Sequence, residues 1–149
     1  MELEDSGRAA HLVAGRRAFC SVWYGERDGK RMTIKEFYQM MDVDSAGIVA
    51  RFATEERVKK YLGKLLEDKT FDALAEAMAQ KDYEQAFFAV HTLKGIAANL
   101  DLTPLYQAAD RLTELLRGQK QPDEAMAEAL YQQIQEIYEH LVMLIPAVL

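Results

Sequence analysis

The sequence predicts an all-α fold: an antiparallel up-down-up-down four-helix bundle with short N-terminal helices packed across it. Three observations predict it. Ala, Leu, Glu, Gln, Lys and Met dominate the composition, and these are the strong helix formers. Eight glycines and three prolines in 149 residues are too few turn residues for a fold of many short strands. From Met32 onward, apolar residues recur at three-and-four spacing between helix-capping residues.

The elements follow in order. A short helix is expected over 33–41 and a second over 44–53, opening at Asp44. Thr54 caps the next, with Glu55 and Glu56 in the first turn, where carboxylates meet the positive end of the helix dipole. That helix reaches Glu67. Asp68 or Thr70 restarts the chain into a run to Gln80 carrying Phe71, Leu74, Ala77 and Met78, and the two pieces could form one kinked helix. Asp82 with Gln85 three residues on has the capping-box pattern and opens a helix over 82–100. Thr103 is the expected cap of the following helix, with Pro104 at its first position, and Gly118 its left-handed terminator. Pro122 opens the last helix and Pro146 stops it. Met126, Leu130, Ile134, Ile137, Leu141 and Leu144 are its expected buried stripe. Short loops between 54–80, 82–100, 103–118 and 122–146 make these helices antiparallel neighbours.

Residues 1–31 stand apart. They hold the only Cys (Cys20) and the only Trp (Trp23), and six basic against five acidic side chains leave them at +1, whereas the remainder is −7. The expected division is a flexible N-terminal extension over 1–31 and a bundle domain over 32–149; the alternative is an ordinary extra helix near 8–20.

Charge and cysteine content exclude several functions. A chain with 18 basic and 24 acidic residues and no basic cluster is a poor ligand for nucleic acid, which demands concentrated Lys and Arg. One cysteine permits neither an internal disulfide nor a cysteine-rich zinc site. No apolar run approaches the roughly 18 residues of a membrane span, and the acidic N-terminus is unlike a secretory signal. The expectation is a cytoplasmic protein.

His91 carries the functional signal. On a helical wheel at about 100° per residue, Ala86, Ala89, Val90, Leu93, Ile96, Ala97 and Leu100 fall between about 140° and 260° from it. That arc is a core stripe, so His91 faces outward. Within about 60° of it lie Glu84, Phe87, Phe88, Lys94, Gly95 and Ala98. An outward face is ordinarily polar; this one holds a mid-helix glycine, an alanine and two phenylalanines. A glycine there costs about 1 kcal/mol relative to Ala, and Gly95 points away from the core, so close packing inside the bundle does not account for it. The short helix over 33–41 is a candidate cover for Phe87 or Phe88. The set reads as an exposed nucleophile on a low-relief apolar surface built for another protein to dock. Neutral imidazole is a nucleophile available near neutral pH. Its attack on a phosphoryl group leaves a dianionic phosphoramidate, and Lys94 one turn on is placed to neutralise those oxygens.

The run His91-Thr92-Leu93-Lys94-Gly95-Ile96-Ala97-Ala98-Asn99-Leu100 resembles the signature of histidine-containing phosphotransfer (HPt) domains of bacterial two-component phosphorelays, H-x-L-K-G followed by small residues and a leucine. The resemblance spans roughly residues 44–146. It implies that His91 is the phosphoryl acceptor and that Lys94 and Gly95 are its usual companions. It further implies response-regulator receiver domains and a hybrid histidine kinase as partners, with Mg²⁺ and the catalytic acidic cluster belonging to the receiver. Asp101 departs from the pattern, which commonly has Gly after the leucine.

Rival readings fit less well. A kinase dimerisation helix calls for an ATP-binding domain downstream, and no Gly-rich nucleotide loop is present. A di-iron bundle needs Glu-x-x-His pairs, but Phe88 precedes His91 by three and Ile137 precedes His140 by three. His11 and His140 read as ordinary. The alternative function is a degenerate interaction module that docks receivers without carrying phosphate, in which loss of the His or the Lys would be expected. The expectation is therefore a monomeric phosphoryl carrier, not an enzyme, with no cofactor or metal of its own and no nucleic-acid or membrane partner.

Overall fold

The computed structural model describes residues 31–149, and among these the regular structure is entirely helical. The expectations for residues 1–30, including the extension, the helix near 8–20, His11, Cys20 and Trp23, lie outside the described residues. Seven helices follow in order: α1 (Ile34–Gln39), α2 (Ala46–Phe52), α3 (Glu55–Glu67), α4 (Thr70–Ala79), α5 (Tyr83–Asn99), α6 (Thr103–Leu116) and α7 (Glu124–Val148). The most extensive packing joins α5 to α6, then α4 to α5 and α6 to α7; α3 and α1 lie on α7, and α2 lies on α3.

Caps decide where these helices begin. The Thr33 hydroxyl accepts from the Glu36 amide while the Glu36 carboxylate accepts from the Thr33 amide, a complete capping box. Asp44 accepts from the Ala46 amide at the start of α2, and Thr54 accepts from Arg57 N at the start of α3. The chain breaks at Asp68, whose Oδ1 accepts from Thr70 N at 2.7 Å, so α3 and α4 are two helices. Phe71 then seats α4 on α7, its ring stacked on Tyr138 (centroids 4.3 Å apart) and on Tyr131 (6.2 Å).

Four expectations at helix ends and faces are corrected. Thr103 is not a cap: Leu102 holds that place with no side-chain bond, and its burial anchors the turn instead. Pro122 lies before the cap of α7, which is Asp123, accepting from Met126 N. Pro146 does not stop α7, which runs to Val148. The missing proline N–H removes a single bond in the last turn, and Met32 N donates to the Ala147 carbonyl there, holding the end of the helix. Met126 is 53% exposed; the buried stripe begins at Ala127 and continues through Ile134, Tyr138, Leu141, Leu144, Ile145 and Val148. Met126 sits at the edge of that stripe, and in the first turn the edge is uncovered.

The turns repeat one device. After α1, α4 and α5 the chain closes with the same bond, from Val43 N to Tyr38 O, Asp82 N to Ala77 O and Leu102 N to Ala97 O, each 2.9 Å. This is the Schellman closure, and it needs one residue in the left-handed region. Asp42 (φ 59°), Lys81 (φ 55°) and Asp101 (φ 50°) supply it. Asp101 is thus an ordinary helix terminator at a place where glycine would be unstrained, at a cost of about 1–2 kcal/mol. Arg51 of α2 offsets part of this, its Nη2 lying 2.8 Å from Asp101 Oδ1 and donating to Asn99 O at 3.1 Å. The Tyr38 hydroxyl, fully buried, donates to Leu100 O at 2.6 Å in the same turn. Burial, with the Asp101 carboxylate second, pushes that hydroxyl well above the ordinary phenol range and keeps it a donor.

Tyr38→Phe removes that donor and leaves a buried carbonyl short of a partner. It is expected to lower unfolding free energy by about 1–2 kcal/mol, measured by urea titration, with little change in the fold by circular dichroism.

Candidate functional site

Helix α5 is set by its cap and by one buried stripe. Asp82 accepts from Gln85 N at 3.2 Å. Ala86, Val90, Leu93, Ala97 and Leu100 are buried, and Ala89 and Ile96 pack half-buried at the flanks. Five buried positions at three-and-four spacing leave no freedom in the rotation of the helix, so the opposite face must meet solvent. His91, Glu84, Phe88, Gly95 and Ala98 are all exposed there, Phe88 by 56%.

His91 has no hydrogen-bond or ion-pair partner among the described residues. Its imidazole lies nearly parallel to the Phe87 ring, 15° between planes and 5.8 Å between centroids. One face of the imidazole is thereby supported while its edge stays open. A Cβ built on Gly95 meets nothing within 4 Å, so this glycine serves no packing inside the described structure; it leaves the surface beside His91 low. Thr92 turns back to its own helix, its hydroxyl donating to Phe88 O at 2.9 Å.

Two members of the set are placed differently from the simple wheel. Phe87 is half-buried because it packs against the core, with ring contacts to His91, to Phe88 edge-on and to the Arg117 guanidinium, 5.6 Å from its centroid. The helix over 34–39 does not account for that cover; its Tyr38 meets α5 at Leu100, about 20 Å along the axis from Phe87. Lys94 is drawn sideways toward α6. Its Nζ lies 2.7 Å from Asp110 Oδ1 and 5.8 Å from the centre of the Tyr106 ring, and its side chain is only 20% exposed. The hydrogen bond that Lys94 donates to Asp110 is the main reason its pKa is raised, so the cation is held in place as well as in charge.

Asp110, Tyr106 and Arg117 are the neighbours that reading α5 alone missed. A signal existed in α6: Tyr106, Asp110, Thr113 and Arg117 recur at i, i+4, i+7 and i+11, one polar-edged stripe beside the buried Ala108, Ala109 and Leu112. Glu114 accepts from Arg117 at 3.0 Å and accounts for most of the rise in the Arg117 pKa. The face thus offers an uncommitted imidazole, two cations each shared with a carboxylate, and small or apolar residues around them. Such a site can attack an electrophile brought by another molecule and neutralise an anionic product; among the described residues no acidic cluster lies beside His91.

Among the described residues no group of three or more His, Cys, Asp or Glu is arranged to hold a metal ion, and no helix is long and apolar enough to cross a membrane. Residues 62–142 match the family model described as Hpt domain. No curated protein and no solved structure matches the chain.

Because the space beside Gly95 is open, Gly95→Ala is expected to stabilise the protein by up to about 1 kcal/mol through helix propensity and reduced freedom of the unfolded chain. Gly95→Arg should fold with a melting temperature close to wild type. Unfolding of either variant in thermal melts would show that the face is covered.

Proposed function

The chain belongs to the Hpt domain family, the histidine phosphotransfer carriers of phosphorelays, and from that premise we propose that His91 is its phosphoryl acceptor. The observation that carries this reading is the exposed, uncommitted imidazole on a low apolar face, held there by the buried stripe behind it. A receiver domain presents an aspartyl phosphate. The Nε2 lone pair of neutral His91 attacks phosphorus, the P–N bond forms, and the acyl P–O bond breaks to return a carboxylate to the receiver. The reverse step passes the group to the same receiver or another. Positioning and charge neutralisation do most of the work in such a transfer.

Each neighbour has a part in this reading. Phe87 supports the ring on one face. Lys94 is the charge partner of the phosphoryl oxygens, and Asp110 parks its ammonium beside the site while His91 is unmodified. Arg117, shared with Glu114, is a second cation at the Phe87 ring. Gly95 and Ala98 leave room for the receiver's loops to cross the helix, and Phe88 and Glu84 extend the docking surface toward the N-terminal end of α5. We also read the broken pair α3 and α4 (55–79), with 83–99, 103–116 and 124–148, as an antiparallel up-down-up-down bundle within a domain of residues 32–149, acting as a cytoplasmic monomer whose transfers draw on the receiver's Mg²⁺ and not on an ATP site of its own.

Incubation with a phosphorylated receiver is expected to move label onto the protein in an acid-labile, base-stable form. His91→Gln should abolish it with an unchanged melting temperature. Label retained in that variant would overturn the assignment, and receiver binding without any label on wild type would instead favour a docking module that carries no phosphate.

Lys94→Ala is expected to keep an acceptor but slow transfer, or shorten the phosphohistidine lifetime, by roughly tenfold, as fits one lost charge-assisted contact at an exposed site. Asp110→Asn leaves the lysine in place but weakens its anchor, and should change these rates less than Lys94→Ala does. Equal rates and lifetimes across wild type and Lys94→Ala would remove the lysine from the mechanism.

A further inference from the structure

Helix α3 carries a second organised surface. Arg57, Lys60, Tyr61 and Lys64 recur at three-and-four spacing and share one side of the helix. With Arg51 and Phe52 of α2 they line two adjoining hollows of about 520 and 330 Å³. The floor of the larger is apolar, made by Phe52 and Leu65 with Ile96 and Leu100 of α5. Phe52 and Tyr61 form an aromatic pair across it, their centroids 5.0 Å apart. The α5 residues of the floor and wall, Ile96, Asn99 and Leu100, lie about 80° to 180° round the helix from His91, so this is not the face already described.

The rim is cationic in a chain whose net charge is −6; folding brings together basic side chains of α2 and α3, which corrects the expectation of no basic cluster drawn from the sequence. Lys64 Nζ stands 4.8 Å above the Tyr61 ring. Arg51 is engaged by Asp101, but Arg57 and Lys60 form no ion pair among the described residues. The one carboxylate lining the hollows, Asp68, already accepts from Thr70 N. Four cations around an aromatic and aliphatic floor select a ligand that is both anionic and apolar.

The layout also selects its shape. Arg57 to Lys64 spans seven residues, about 10 Å of helix, along an open trough and not an enclosed cavity. A small anion meets one or two of these charges; a ligand that meets them all carries separated negative charges over that length. An extended peptide covers 10 Å in about three residues, and its side chains alternate, so acidic ones can meet the rim while apolar ones enter the floor. We propose that this trough binds a short acidic peptide segment of a partner protein, with alternating carboxylate and apolar side chains. The inference does not depend on His91 carrying phosphate.

The test uses the full chain and a fluorescein-labelled six-residue peptide of alternating Asp and Leu, followed by fluorescence anisotropy. Saturable binding is expected. It should weaken by about tenfold or more in the Lys60→Glu, Lys64→Glu double variant, whose exposed positions should leave the protein folded with a small drop in melting temperature, since a carboxylate then stands in the last turn of α3. It should also weaken as ionic strength rises past about 0.1 M, where screening acts over about 10 Å. His91→Gln should bind as wild type. No binding, equal binding of an Asn-for-Asp peptide, wild-type affinity in a folded double variant, or loss of binding in His91→Gln would each overturn the proposal. So would preference for phosphatidylserine vesicles over the peptide.

Discussion

The buried stripe of α5 is the constraint on which the rest depends. Ala86, Val90, Leu93, Ala97 and Leu100 are buried, and a helix with that many positions committed has only one allowed rotation about its axis. The orientation of His91 follows from what lies behind it, without a single bond to the imidazole from the described residues. This separates stability from chemistry. Burying a Leu or Val is worth about 1.5–3 kcal/mol, and this stabilisation is collected on one side of the helix. The other side is left free to hold residues that contribute little to folding. A mid-helix glycine and an exposed phenylalanine are tolerable on such a face because the opposite face carries the fold.

The same logic explains why the end of α5 is so heavily secured. Three interactions converge on residues 99–101: the Tyr38 hydroxyl on Leu100 O, the Arg51 guanidinium on Asn99 O, and the Arg51–Asp101 ion pair. They come from α1 and α2, the two short helices outside the main packing, and they hold a turn whose left-handed residue is an aspartate. The alanine-rich contact with α6 brings the two backbones close, and a shift of that turn would move α6 and with it the Asp110 that holds Lys94. The N-terminal helices therefore pin the turn that joins α5 to α6.

What the sequence disclosed and what it withheld divide along one line. Features that depend on periodicity or on a neighbour three or four residues away were legible: both faces of α5, the caps at Thr54 and Asp82, and the left-handed Gly118. So was the bareness of Gly95, since nothing on its own face explained it. Features that depend on a partner far along the chain were not. Pro146 reads locally as a helix stop, yet Met32, more than a hundred residues away, supports the turn that contains it. Leu102 has no capping group and holds its place by burial. Lys94 looks like a free charge beside His91 until α6 brings Asp110 to within 2.7 Å. Phe87 drew suspicion of a cover from the first short helix, but the ring packs against the core and has Arg117, the last residue before Gly118, over it.

In the proposed reading, the engagement of Lys94 bears on how an exposed His91 would hold a dianion. A bare lysine on a surface samples many rotamers, and ordering it on demand carries an entropy cost of up to about 2 kcal/mol. Asp110 orders it beforehand, with the Tyr106 ring against the same ammonium. A lysine has three N–H donors, so a phosphoryl oxygen arriving beside it need not displace the carboxylate to gain a contact. The negative charge of Asp110 opposes the incoming anion, and that opposition limits how tightly the group is held. For a site that, as proposed, gives up what it receives, a cation balanced in this way is better suited than an unopposed one, because a phosphoryl group bound too well in the ground state would be slower to leave.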